Sequence, residues 1–346
     1  MANISIIGGG SWGQAMALLL HRNTHKVKVW EYNEANATQL QNERRNDAFL
    51  QGIVFPPEIY FTHKMTELFT EPPQIIIYAV PSSFIRKTVQ QSRPYIERAF
   101  PEKQGKKSAL TAIINLAKGL EENTLKRMSE VIREELPAAF GDKICTLSGP
   151  SHAEEVARGV PTVVVVAGDN KDTLYEVRKE FSNAVFRVYS TFDLVGVEIG
   201  AAVKNIIALA AGVVDGLGFG DNTKGALLTR GLAEIKRLGM AMHADIETFS
   251  GLSGLGDLVT TAISQHSRNR YVGYQLGKGE KLEDILSKMV MVAEGVITTK
   301  NIRELKEKLQ ISMPITEEMF QLLFEGKDPK EAIFALMTRS LKNEAD

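Results

Sequence analysis

The chain has 346 residues, 44% of them apolar and 24% charged, with a formal net charge of −1 and one cysteine. That length accommodates two ordinary domains with sizeable cores. The near-neutral charge excludes a global attraction to nucleic acid or an anionic membrane, and lone Cys145 excludes an internal disulfide framework and suits a reducing compartment.

The N-terminus, "MANISIIGGG", lacks the basic start and the cleavage site of a signal peptide and reads as a strand. Further apolar runs of strand length follow at "KVKVW", "QIIIYAV", "LTAIINL", "ICTLSG" and "PTVVVVAG", most of them separated by amphipathic stretches of helical length. This alternation predicts a parallel sheet covered on both faces. After "FRVYSTFD" only helical periodicity remains. The expected fold class is therefore α/β: a Rossmann-type, mostly parallel sheet domain over residues 1–190 and an all-helical domain over 191–346.

Gly8, Gly10 and Gly13 follow the first strand and open the first helix in G-x-G-x-x-G spacing. In that context the glycines serve a dinucleotide: one for the tight turn, one for close approach to the pyrophosphate, one for helix–strand packing. The helix N-terminus offers free N–H groups and its positive dipole end to the phosphates. The second strand ends in "VWEYN". An acidic residue there, Glu31, suits the ribose 2′-hydroxyl, so NAD is the expected cofactor, with NADP left open.

The run "GVEIGAAVKNIIALAAG", residues 196–212, is long and apolar, yet it carries Glu198, Lys204 and Asn205. Charges at the centre of a membrane span are costly, so a buried helix of a soluble, cytoplasmic protein is expected, with no membrane span. A buried ammonium must be paired or lose its proton. Such a lysine is a candidate acid–base group, although periodicity alone favours a side chain that reaches water from a helix flank. His21 and His25 are four apart, a spacing that could put them on one helix face, but with no further ligand nearby no metal is expected.

"GGGSWGQAMA", "YAVPSSFIR", "NLAKGLE", "LSGPSHAEEVARGVPTVVVVAG", "GLSGLGDLVTT", "SRNRYVG" and "VAEGVITTK" occur in this order along nearly the whole chain. Together they resemble the bacterial NAD(P)-dependent sn-glycerol-3-phosphate dehydrogenases. The resemblance implies interconversion of sn-glycerol 3-phosphate and dihydroxyacetone phosphate, supplying phospholipid synthesis, in a cleft between the two domains. It implies that Lys204 is the proton acceptor and that Asp257 and Lys118 share the catalytic site. It places Gly149, Ser151, Asn205, Ser267, Arg268 and Asn269 at the substrate, together with Lys118, Lys204 and Asp257. It places Ser11, Trp12, Ala153, Val292 and Glu294 at the cofactor beside Gly8, Gly10, Gly13 and Glu31, with Lys118 and Arg268 touching both. Arg268 is expected to meet the substrate phosphate as a desolvated guanidinium.

One departure is that "WEYN" lacks the arginine such proteins often carry after this tryptophan, which speaks against a strong NADP preference. The partner expected is a small phosphorylated substrate and no nucleic acid, with a homodimer kept open. Two other readings stay open from the residues alone: a β-hydroxyacid dehydrogenase, and a non-catalytic dinucleotide-binding regulator.

Overall fold

The computed structural model describes residues 1–101, 109–289, 291–341 and 343. Eight strands form one sheet: β1 (Asn3–Ile7), β2 (Lys26–Trp30), β3 (Tyr60–Thr62), β4 (Ile75–Tyr78), β5 (Ala112–Asn115), β6 (Ile144–Ser148), β7 (Thr162–Gly168) and β8 (Phe186–Thr191). Their spatial order is β3-β2-β1-β4-β5-β6-β7-β8. Every neighbouring pair is parallel except β6 and β7, where Cys145 pairs with Gly168 and Ser148 with Val165. The strand order reverses between β1 and β4, the switch point at which an open α/β sheet forms its ligand crevice.

Side-chain alternation explains why the sheet is covered twice. Ile4, Ile6, Ile75 and Ile77 enter one apolar cluster. Their neighbours Ile7, Ile76 and Tyr78 enter another on the opposite face. A period of two buries both faces of a strand only if helices cover both. Those helices are α1 (Ser11–Arg22), α2 (Glu34–Glu43), α3 (Ile85–Ala99), α4 (Met128–Glu135), α5 (Ala153–Arg158) and α6 (Lys171–Phe181). Two strands escape the list of apolar runs above. β3 has only three residues, and β8 reads "FRVYST", with two exposed side chains among its first four.

The remainder is helical: α7 (Leu194–Gly216), α8 (Asp221–Ala241), α9 (Asp257–Ile263), α10 (Arg268–Gly277), α11 (Leu282–Ser287), α12 (Glu294–Lys308), α13 (Pro314–Phe324) and α14 (Pro329–Met337). The long apolar run is α7, with 21 of its 23 residues buried. A helix apolar on all sides belongs in the centre of a bundle. α7 is long and apolar enough to span a bilayer, but its apolar window lies wholly inside the fold.

Glycines allow α10 to lie against α7. A Cβ on Gly273 would stand 1.9 Å from the Leu209 carbonyl oxygen, and one on Gly212 would stand 2.1 Å from that of Arg270. This close approach carries the first turn of α10, with Ser267, Arg268 and Asn269, up to the middle of α7.

Glu198 fastens α7 to the sheet domain. Its carboxylate accepts from Arg127 (2.9 Å), the Ser129 amide (2.9 Å), the Ser129 hydroxyl (2.6 Å) and the Thr146 hydroxyl (3.0 Å). Burial pushes its pKa up, opposed by these partners.

Candidate active site

A cleft of about 890 Å³ separates the carboxyl ends of the strands from the helical domain. On the sheet side, Gly8, Gly10, Ser11 and Trp12 line it. Gly8 has φ +125°, and a Cβ there would meet the Ala79 carbonyl carbon at 2.6 Å, so only glycine fits. A Cβ on Gly10 would meet nothing within 4 Å, which leaves the backbone open to a ligand. No side chain caps α1, and its first residues, Ser11 and Trp12, line the cleft. Glu31 closes the far side. It is 4% exposed, lines the cleft, and accepts from the Asn33 amide at 3.0 Å. Burial raises its pKa, while bonds from the Asn33 and Gly9 backbone oppose the rise. An open glycine turn, an uncapped helix and a buried carboxylate at the end of β2 fit a dinucleotide.

On the helical side, Lys204 projects from the middle of α7. Its Nζ donates to Asp257 Oδ1 (2.9 Å) and to the Thr261 hydroxyl (2.6 Å). The other carboxylate oxygen, Oδ2, accepts from Lys118 Nζ at 2.5 Å. Burial pushes Lys204 down, Lys118 assists and Asp257 opposes, so that its pKa falls to about 8. Burial alone would raise Asp257, but the two ammonium groups outweigh it and hold the carboxyl below its usual range. The result is a lysine poised to exchange a proton near neutral pH beside a carboxylate that stays ionised.

Local structure explains the placement. Lys118 follows β5 by three residues, on the loop over the strand's carboxyl end. Asp257 leaves a π-helical turn over Leu252–Gly256 and opens α9. A turn or capping aspartate would suit "GDL" equally well, but this carboxylate binds the two lysines. Asn205 joins the walls: its Nδ2 donates to the Lys118 carbonyl at 3.5 Å, and its Oδ1 accepts from Asn269 at 2.9 Å. Asn269 in turn accepts from the Gly295 amide, and Glu294 accepts from the amides of Ser82 and Lys118. Burial raises the Glu294 pKa, and these contacts with nearby Arg268 oppose the rise.

Lys118, Ser151, Ala153, Lys204, Asn205, Asp257, Ser267, Arg268, Asn269, Val292 and Glu294 all line the same cleft. Two expected positions stand behind its wall. Gly13 packs under the turn, where a Cβ would lie 1.9 Å from the Gly8 carbonyl oxygen. Gly149, with φ +138°, turns its carbonyl to Lys118 Nζ at 3.3 Å and to the Ser151 hydroxyl at 3.0 Å. Ser267 does not precede its helix idly: its hydroxyl caps α10 at the Arg270 amide, so Arg268 and Asn269 form the first turn. Arg268 corrects one expectation. It is exposed at the cleft mouth, donating to the Val292 carbonyl at 3.2 Å, and is not desolvated. The sequence reading missed Thr261, although its spacing of four from Asp257 on one helix was the available signal. It also missed His152, which lines the cleft between Ser151 and Ala153.

A doubly wound sheet with an open glycine turn, facing a buried lysine across one cleft, defines a dinucleotide-dependent oxidoreductase. Residues 3–174 match the profile described as NAD-dependent glycerol-3-phosphate dehydrogenase N-terminus, and residues 193–334 match the corresponding C-terminus profile. The chain belongs to the NAD-dependent glycerol-3-phosphate dehydrogenase family. It is 44% identical over 342 residues to the NAD(P)+ glycerol-3-phosphate dehydrogenase of Chlorobium limicola, covering 99% of both chains. It is 46% identical over 341 residues to that of Prosthecochloris aestuarii, again covering 99% of both. The crystal structure of glycerol-3-phosphate dehydrogenase from Coxiella burnetii superposes with a TM-score of 0.90 at 34% identity, covering 98% of this chain and 99% of that one.

Proposed function

We propose that the cleft interconverts sn-glycerol 3-phosphate and dihydroxyacetone phosphate, with Lys204 moving the C2 hydroxyl proton. The observation that carries this reading is the Lys118–Asp257–Lys204 cluster opening onto the same cleft as the glycine turn. A bound nicotinamide dinucleotide, NAD or NADP, supplies or accepts the hydride. Gly8, Gly10 and the first amides of α1, at Ser11 and Trp12, hold its pyrophosphate, and Glu31 accepts from the adenosine ribose. Ala153, Val292 and Glu294 complete that wall, and Gly13 supports the turn from behind.

In reduction, the Lys204 ammonium gives its proton to the oxygen on C2. In oxidation, the neutral amine takes it back. Asp257 and Thr261 fix the amine and draw its proton inward, and Lys118 keeps Asp257 ionised. Arg268, with Ser267 and Asn269 at the start of α10, holds the phosphate at the cleft mouth. The Gly149 carbonyl orients Lys118 and is itself held by the Ser151 hydroxyl, both beside the substrate, and Asn205 carries the register of α7 to the α10 turn.

The domain division at about residue 190 is supported by the end of β8 at Thr191 and the start of α7 at Leu194. A cytoplasmic location and a homodimer belong to the same proposal. Phe192 and Ile246, both exposed and apolar, flank the contact between Asp193 and the Asp245 amide and offer a surface for a second copy. Light scattering on the purified protein tests the dimer. The activity is tested by following NADH and NADPH consumption with dihydroxyacetone phosphate and, in parallel, with 3-oxo acids. Turnover of the ketone phosphate alone is the expected result, and a preference for 3-oxo acids would refute it.

A further inference from the structure

We propose that Asn115 is a positioning residue for the reaction: it holds the stretch of backbone from which Lys118 reaches Asp257. The inference rests on the active-site reading above and adds a residue to it.

Asn115 is the last residue of β5, fully buried, and stands opposite Thr146 of β6. Its side chain turns onto the chain that follows it. Oδ1 accepts from the Ala117 amide at 3.0 Å, and Nδ2 donates to the Ala117 carbonyl at 3.1 Å. Nδ2 also lies 3.3 Å from the hydroxyl oxygen of Thr146, which gives its own proton to Glu198 at 3.0 Å. The amide therefore meets a donor on one side and two acceptors on the other. These partners fix its orientation, because a flipped amide would set N–H against N–H.

The peptide between Ala117 and Lys118 is planar, so its two ends decide where the Lys118 side chain starts. Asn115 holds the carbonyl end from the sheet domain. Glu294 of α12 accepts from the Lys118 amide at 3.3 Å, and Asn205 of α7 reaches the Lys118 carbonyl at 3.5 Å. Those two bonds come from the helical domain and are longer than the pair made to Ala117. From this start the ammonium donates to Asp257 at 2.5 Å and to the Gly149 carbonyl at 3.3 Å. A strand-end asparagine often closes such a turn for local reasons alone. Here the residue it grips from both sides is the one before Lys118, and the Lys118 ammonium holds Asp257 ionised beside Lys204. A grip on Ala117 is thus a grip on the catalytic cluster.

The test is a mutant cycle on the full chain, read as kcat/KM for dihydroxyacetone phosphate with NADH. Asn115→Leu keeps much of the volume and removes all three bonds. It should lower kcat/KM by about 10- to 100-fold, the scale of a misplacement of about 1 Å. Asn115→Ser, whose hydroxyl can accept from the amide two residues on, should recover most of that loss. In a Lys118→Ala background, Asn115→Leu should cost less than about threefold more, because it acts through a group already gone. The fall of kcat/KM above about pH 8 should move to higher pH in Asn115→Leu, since burial and then the Lys118 ammonium depress Lys204. Lys204 also faces Asp257, Glu294 and His152, and none of these bonds to Asn115. Urea midpoints show that folded proteins are being compared, and where Asn115→Leu is not recovered folded, Asn115→Ala takes its place in the cycle. A kcat/KM within about twofold of wild type, or an equal loss with and without Lys118, would overturn the proposal. A wild type that does not reduce the ketone phosphate would refute the activity itself, and the role of Asn115 with it.

Discussion

Asp257 lies 53 residues beyond Lys204 in the chain, yet its Oδ1 stands 2.9 Å from the Lys204 Nζ. The pairing has two opposed consequences. It compensates an ammonium placed in an apolar helix, where an unpaired charge would not survive. It also limits how far burial can depress the lysine, leaving it at about 8 and not lower. The carboxylate thus sets the pH at which the proton is available.

The pH dependence follows in sign. Reduction needs the Lys204 ammonium, which is present below its pKa. For dihydroxyacetone phosphate, kcat/KM should therefore be level up to about pH 8 and fall above it. Oxidation of glycerol 3-phosphate needs the free amine and should rise through the same point. Because Asp257 raises the Lys204 pKa, Asp257→Asn should move both breaks to lower pH, besides reducing the rate. Breaks that stay in place in the variant would remove Asp257 from this role.

Lys204→Ala should cost about 10²–10⁴-fold in kcat, the usual contribution of a general acid or base. NADH binding and the thermal transition should persist, because Asp257 keeps its 2.5 Å contact with Lys118. Retention of more than about a tenth of wild-type kcat would exclude Lys204 as the proton carrier.

What was legible in the sequence was local. The glycine turn, strand β1 and helix α1 lie within one contiguous segment, and their spacing carries their chemistry. The anomaly of Lys204 was equally visible, since a charge within an apolar run needs a reason. Its partners were not visible without the family resemblance. Asp257 reaches it across 53 residues and Lys118 reaches Asp257 across 139 and across the domain division, and only the packing of α7, α9 and the β5 loop brings the three together. β3 escaped because three residues carry too little periodicity to register. The exposure of Arg268 escaped because a helix start does not say which way its first side chain faces.

Glu31 makes cofactor choice testable. Its buried carboxylate lines the cleft just past the end of β2, where the proposed cofactor would place its ribose, and the adjacent Tyr32 and Asn33 add no positive charge. A 2′-phosphate placed there would meet a like charge. NADH should be used at least as well as NADPH. A kcat/KM tenfold higher for NADPH corresponds to about 1.4 kcal/mol of the wrong sign and would refute the assignment. Glu31→Ala should narrow the gap.

Glu198 joins the two domains, and its loss should appear in stability before it appears in chemistry. Glu198→Ala leaves Arg127, Ser129 and Thr146 facing a carboxylate that is gone. Arg127 retains Glu130 at 3.0 Å, so the cost should fall at the low end for breaking a buried pair, about 3 kcal/mol. The midpoint of urea unfolding measures it. A midpoint equal to wild type would mean that the domains are held together elsewhere.

Arg268 remains the phosphate ligand in this reading, but its exposure changes the size of the expected effect. A guanidinium at the cleft mouth, held by the Val292 carbonyl, makes a charge-assisted bond in partly solvated surroundings. Such a bond is worth about 1.5–3 kcal/mol. The cost of breaking a fully desolvated pair would be greater. Arg268→Ala should therefore lower kcat/KM for dihydroxyacetone phosphate by about 10- to 150-fold. Because phosphate binding also orients C2, part of the loss should appear in kcat as well as in KM. Unphosphorylated dihydroxyacetone has no phosphate to lose, so its much slower turnover should change far less. Arg268→Lys should recover only part of the activity, since an ammonium lacks the bidentate fork. Arg268 also stands near Glu294, which the proposal gives to the cofactor, so NADH affinity must be measured separately. The deciding quantity is the ratio of the two substrates' kcat/KM in wild type and variant, and an unchanged ratio would show that Arg268 does not read the phosphate.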